Sequence, residues 1–225
     1  MTGRRSPRGT LSRERILDAA LQLIDAHGIE AFSMRRLGAQ LGVDPMAVYH
    51  HVGAKRAIVL ALVERVFAGF GVPGGAATWE QRVRAWASAY RELALAHPGL
   101  VLQIVSDPEA VAIAAVHVNE PLVAALKEAG LAPAAVAAAV NVTVDYVHGA
   151  VLPAASRPPG HDQPLASLRS ELERRAGERF PAQRWLAAEL GEDEDADDFE
   201  GGIDVIVAGL GALISAKDRS GAVRD

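Results

Sequence analysis

Apolar residues return every three or four positions along most of the chain, and the period-two alternation of half-buried strands is missing. In "SRERILDAALQLIDAHG" the residues Ile16, Leu17, Ala20, Leu21 and Ile24 share one helical face, with Ser12 as N-cap and Gly28 as the stop. "SMRRLGAQLG" repeats the pattern on a shorter scale: Ser33 caps, Met34, Leu37 and Leu41 point inward, Arg35 and Arg36 point outward, and Gly42 suits a left-handed turn. Asp44 then caps a third helix that starts at Pro45, where the missing N–H costs nothing. Two short helices joined by a tight Gly-containing turn predict a helix-turn-helix, whose second helix can enter a DNA major groove. That second helix carries Tyr49, His50 and His51 on its surface. Lys55 and Arg56 follow just after the loop "HVGA", where a lysine and a helix N-terminus can together hold a phosphate.

Beyond the head the same periodicity predicts helices over 54–70, 79–97, 100–106, 109–129, 133–155, 165–178, 181–190 and 197–217. Gly and Pro mark the boundaries, and "SRPPGHDQP" (156–164) and "GEDEDADD" (191–198) read as loops. No internal repeat is visible. The expected fold is all-α: a basic arm over 1–11, a three-helix head over 12–58, and a larger helical body over 59–219. The body helices Ala134–Ala155 and Phe199–Ala216 are apolar on more than one face, which a monomer surface would not tolerate; two from each of two copies would make a four-helix seam in a homodimer. Asn141, Asp145 and His148 interrupt the first of these, so it reads as a buried helix and not a membrane span.

Charge sharpens this division. Residues 1–70 hold 10 Lys/Arg and 6 Asp/Glu (net +4), residues 71–225 hold 13 and 22 (net −9), and the sum is the net −5 of the chain. A basic head on an acidic body points to nucleic acid at the head. There is no Cys, which excludes disulfides, thiolate zinc sites and cysteine nucleophiles. "MTGRRSPRGT" has no apolar core of a signal peptide, so the expected location is the cytoplasm. The acidic run Glu192–Asp198 lacks the spaced oxygen ligands of a calcium loop and reads as a solvated helix start, where negative charge suits the helix dipole. Asp145 and His148 lie three residues apart on one face and could form an acid/base pair, with His117 a further candidate nearby. No nucleophile motif, phosphate loop or His-x-x-x-His accompanies them, so neither catalysis, a cofactor nor a metal is expected. A ligand-responsive regulator, a DNA-binding protein without a sensor, and a helical-bundle enzyme all remain readings of the pattern; a body of this size favours the first.

The stretch "RERILDAALQLIDAHGIEAFSMRRLGAQLGVDPMAVYHHVGAKRAIVLAL" closely resembles the DNA-binding domain of tetracycline-repressor-type (TetR) regulators. "TWEQRVRAWASAYRELALAHPGL", "EPLVAALKEAGL" and "DDFEGGIDVIVAGL" resemble helices of that family's ligand-binding body. The resemblance implies an all-helical homodimer that represses transcription at a palindromic operator and releases it when a small molecule binds. It assigns Arg35 to a guanine and Tyr49 and Lys55 to the DNA backbone. Pro45, Met46, Ala47 and His50 fall at the positions that set sequence preference, with Ser33 and His51 beside them. These are mostly apolar, so readout should lean on thymine methyl contacts from Met46 and Ala47.

The tetracycline repressor holds a magnesium–drug chelate through His and Glu side chains. Gly71, Ile104, Asp145 and Pro153 fall at four of the corresponding positions, and three of these offer no side-chain ligand. The expected pocket is bounded by Trp86 and Tyr90, faced by Ile104, Leu122 and Asn141, with Asp145 or His148 as polar anchor. Such a lining suits a largely apolar organic effector.

Overall fold

The computed structural model describes residues 11–75, 78–156, 164–175, 179–190 and 199–221. The arm over 1–10, the acidic run 192–198 and most of the 156–164 loop therefore lie outside the described residues. Among those described, all regular structure is helical.

The head forms from its local signals. Helix α1 (Arg13–His27) begins at Ser12, whose side chain accepts from the Arg15 N–H at 3.2 Å, and ends at Gly28. Helix α2 (Met34–Leu41) begins at Ser33, which accepts from the Arg36 N–H at 3.3 Å. It stops at Gly42, whose φ of 69° lies in the left-handed region that a side chain would strain. Helix α3 (Pro45–Val52) begins at Asp44, which accepts from the Met46 N–H at 2.7 Å. Each cap satisfies an amide that the first helical turn leaves without a partner. Ile16, Ala20 and Ile24 of α1, Leu37 of α2 and Val48 of α3 are buried together, so one small core holds the helix-turn-helix in shape.

Helix α4 (Lys55–Ala68) leaves the head and packs along the body, burying Ile58, Val59, Leu62, Val63 and Phe67. The body is built around α5 (Trp79–Ala96), which starts in a capping box between Thr78 and Gln81. Around it lie α6 (Pro98–Ile104), α7 (Pro108–Val118), α8 (Glu120–Glu128), α9 (Pro133–Ser156) and α12 (Phe199–Gly221). The hairpin of α10 (Pro164–Arg174) and α11 (Pro181–Glu189) stands to one side.

The single helix expected over 109–129 is in fact two, α7 and α8, parted at Asn119. Pro121 explains the break: it has no N–H for the ladder, and its ring would strike the carbonyl of His117 in a continuous helix. The bounds of α6, α10 and α12 differ by a few residues from those expected; α6 and α10 start on a proline, Pro98 and Pro164, the residue best tolerated in a first turn.

One close approach of head and body lies at the start of α6. A Cβ on Gly99, at the start of α6, would lie 2.7 Å from Ile24 Cγ2 of α1, so only a glycine lets the two backbones come this near.

Candidate nucleic-acid interface and effector cavity

Val48 and Val52 anchor α3 in the head core and turn its other face outward. Met46 is 59% exposed and Tyr49 41%, large apolar surfaces left in water on a short helix. His50 and His51 are also exposed, while Pro45 and Ala47 are half-buried. Ser33 is half-buried and occupied as the α2 cap.

Arg35 and Arg36 differ in their employment. The Arg36 guanidinium donates to the Ala31 carbonyl at 3.2 Å, whereas Arg35 is exposed and makes no hydrogen bond or ion pair among the described residues. Lys55 is exposed; its Nζ lies 3.4 Å from the Ile29 carbonyl, which accepts from it, and 5.6 Å from the centre of the Phe32 ring. No side chain caps the first amides of α4 at Ala54, so those donors remain open beside the Lys55 ammonium.

A cavity of about 350 Å³ opens in the body, within the size range of small-molecule sites. Five of the seven residues expected there line it: Tyr90, Ile104, Asn141, Asp145 and His148. Trp86 and Leu122 do not. Both are fully buried, and the Trp86 indole N–H donates to the Val118 carbonyl at 2.6 Å, which commits that ring to holding α5 against α7. Tyr90, one turn further on, lies against Trp86 with ring centres 5.2 Å apart and presents its hydroxyl to His148 Nε2 at 2.6 Å.

Burial raises the Tyr90 pKa above the ordinary phenol value, so its hydroxyl keeps its proton and donates. Burial likewise lowers the His148 pKa, an effect that Asp145 only partly opposes, so the ring stays neutral and accepts at Nε2. Among the described residues no group of three or more His, Cys, Asp or Glu converges as a metal site.

The sequence reading missed the far wall of the cavity, where Val111, Ala114, Ala115 and Val118 of α7 line it together with Val105, Asn119 and Val144. The signal was there: 111, 114, 115 and 118 fall at i, i+3, i+4 and i+7, one face of a helix. The other side of α7 is tied to α4. Asp107 and Glu109, at its start, both pair with Arg56 of α4, at 3.0 and 2.7 Å, and His117, near its end, pairs with Glu64 at 3.1 Å. Bonding to Arg56 holds the Asp107 pKa below the usual carboxylate range. A further pair, His97 with Asp25 at 3.0 Å, ties the α5–α6 corner to α1.

A helix-turn-helix with an exposed recognition helix, mounted on a helical body that contains a cavity, defines a class of DNA-binding regulators, and the comparisons agree. The family model described as "Bacterial regulatory proteins, tetR family" matches residues 16–62, and the one described as "Tetracyclin repressor-like, C-terminal domain" matches residues 73–214. The chain belongs to the tetR family, whose members are DNA-binding regulators and not enzymes.

Among curated relatives, the HTH-type transcriptional repressor DrrR1 of Streptomyces coeruleorubidus is 32% identical over 158 residues, 66% of this chain and 57% of that protein. The class D tetracycline repressor protein of Escherichia coli is 33% identical over 88 residues, 38% of this chain and 40% of that protein. The chain thus spans about half the length of these two relatives. Among solved structures, the Streptomyces coelicolor TetR family protein ActR in complex with actinorhodin superposes with a TM-score of 0.73 at 26% identity, covering 92% of this chain and 99% of that one.

Proposed function

We propose that this protein is a transcriptional repressor that binds a palindromic operator as a homodimer and lets go when a small, largely apolar molecule enters its body. The observation that carries the reading is the double use of α7. One face lines the cavity, and the other is tied to α4, the helix that leaves the head, by the Arg56 ion pairs and the His117–Glu64 contact. An occupant that shifts α7 thereby moves the head. The naming of DrrR1 as a repressor and the bound actinorhodin in ActR support the same reading. A DNA-binding protein without a sensor would have no use for the cavity.

In this reading Arg35 reads a base, Met46, Ala47, Tyr49, His50 and Pro45 present the recognition surface with Ser33 and His51 at its edge, and Lys55 holds a phosphate. The arm is 1–11, the DNA-binding unit 12–58 and the sensing and dimerising body 59–219. The protein works in the cytoplasm, without a membrane. Pro133–Leu152 and Phe199–Ala216 are long and apolar enough to cross one, with 39% and 22% of their apolar windows buried. Yet α9 packs on α5, α6, α8 and α12 and carries Asn141, Asp145 and His148 into the cavity, which suits a subunit seam better than lipid.

Selection of bound sites from random duplex DNA by the purified protein tests this function. A palindrome with half-sites one helical turn apart, about 34–36 Å, is the expected product. Recovery of unenriched sequence would overturn the proposal.

A further inference from the structure

We propose, on the reading that the cavity is the effector site, that its ligand is a largely apolar molecule carrying a protonated amine, with Asp145 as the counter-ion. The cavity has two unlike walls. Val111, Ala114, Ala115 and Val118 of α7 make one wall wholly apolar. Asn141, Val144, Asp145 and His148 of α9, at the same i, i+3, i+4, i+7 spacing, make the other wall polar. A ligand satisfied by both is apolar on one side and carries its polar group on the edge toward α9.

The sign of that group follows from the charges. Asp145 is the only carboxylate among the described lining residues, which include neither Lys nor Arg. The α9 sequence contains no other acid and no Lys or Arg. Several charged side chains of the neighbouring helices have partners outside the cavity. Glu109 is held by Arg56 and His117 by Glu64, and Arg91, which follows Tyr90, lies over the Phe199 ring at 4.9 Å. His148 is engaged at Nε2 by Tyr90. The C-terminus of α7 and the N-terminus of α8 meet at Asn119, so their opposed dipole ends offset each other there. A carboxylate on the rim, with no Lys or Arg among the described lining residues, repels an anionic ligand and attracts a cationic one.

Three fluorescent probes of one shape test this on the full-length protein: 9-(aminomethyl)anthracene, 9-anthracenemethanol and 9-anthracenecarboxylic acid. Titrations should give the order amine, alcohol, acid. Because Asp145 is exposed in the single chain, the amine should win over the alcohol by roughly fivefold, the scale of a solvent-accessible ion pair. The ratio should fall toward one in Asp145→Asn and, independently of any variant, in wild-type protein at high salt.

An amine that binds no tighter than the alcohol, or a preference that persists in Asp145→Asn, would overturn the proposal while leaving the cavity an effector site. Failure of all three to bind would remove the effector reading itself. Binding undiminished in Ala115→Trp, whose indole projects into the cavity from its apolar wall, would put the probes elsewhere and overturn the proposal too.

Discussion

Arg35 and Lys55 are both exposed cations of the head, and they ask different questions of DNA. If Arg35 reads a base edge, Arg35→Ala should cost roughly 1–3 kcal/mol and relax preference at one operator position. Lys55→Ala should weaken all sequences alike and flatten the salt dependence by about 0.9 in log–log slope for each phosphate left without its lysine. Binding titrations on the selected operator and on single-base variants of it, at several salt concentrations, separate the two; equal effects on specificity would contradict the assignment.

His148 gives a prediction about stability. Its folded pKa is depressed, so below the ordinary value of 6.5 the unfolded chain binds a proton that the folded chain resists. The stabilisation that depends on neutral His148 is complete above that value and is lost as pH falls through the depressed pKa. Thermal melts from pH 7.5 down to 5, a range of about 2.5 units chosen to bracket the histidine titration, should show a steeper loss for wild type than for His148→Gln. Parallel curves would mean that the ring titrates freely.

The helix that matters most to the mechanism is α7, because its two faces serve two sites. Its packing on α4 has ion pairs to Arg56 at the start of α7 and a hydrogen-bond contact between His117 and Glu64 near its end. Arg56 bonds both Asp107 oxygens, at 3.0 and 3.1 Å, a bidentate geometry that fixes angle as well as distance. Arg56→Ala should therefore speed hydrogen exchange in the first turns of α4 and α7 and leave the core amides of α1 and α3 unchanged. Wild-type protein at high salt should move in the same direction, since exposed pairs are screened. Mass-resolved exchange reads both; wild-type rates throughout the variant would show that apolar packing alone holds the helices together.

The whole molecule leaves apolar surface uncovered on α9 and α12. Val205 is 74% exposed and Leu213 56%, and Val142 of α9 is exposed as well. A second copy seated on that surface would bring two recognition helices to one operator. Val205→Glu places a charge in the proposed seam without entering the core of the single chain. It should shift sedimentation from dimer to monomer and abolish operator binding while the helical signal persists. A variant that still sediments as a dimer would locate the seam elsewhere.

The helices of the head, their caps at Ser12, Ser33 and Asp44, and the turn at Gly42 were legible along the chain because each depends on residues within four positions of one another. The break before α8 was equally local, signalled by Pro121, and was passed over. The cavity was legible only in part. Trp86 and Tyr90 share a helix and a period, and no local rule says which of them faces a void. Trp86 is withdrawn by the carbonyl of Val118, 32 residues away, and Tyr90 is aimed by His148, 58 residues away. Likewise Lys55 and Arg56 are equivalent by composition, and it is Asp107, 51 residues on, that takes Arg56 from the head's surface and makes it part of the link to the body. Periodicity determines which side of a helix is buried. The partner that covers that side, and the gaps left between partners, depend on packing among segments far apart in the chain, whose contacts must also offset the entropy of closing the loop between them.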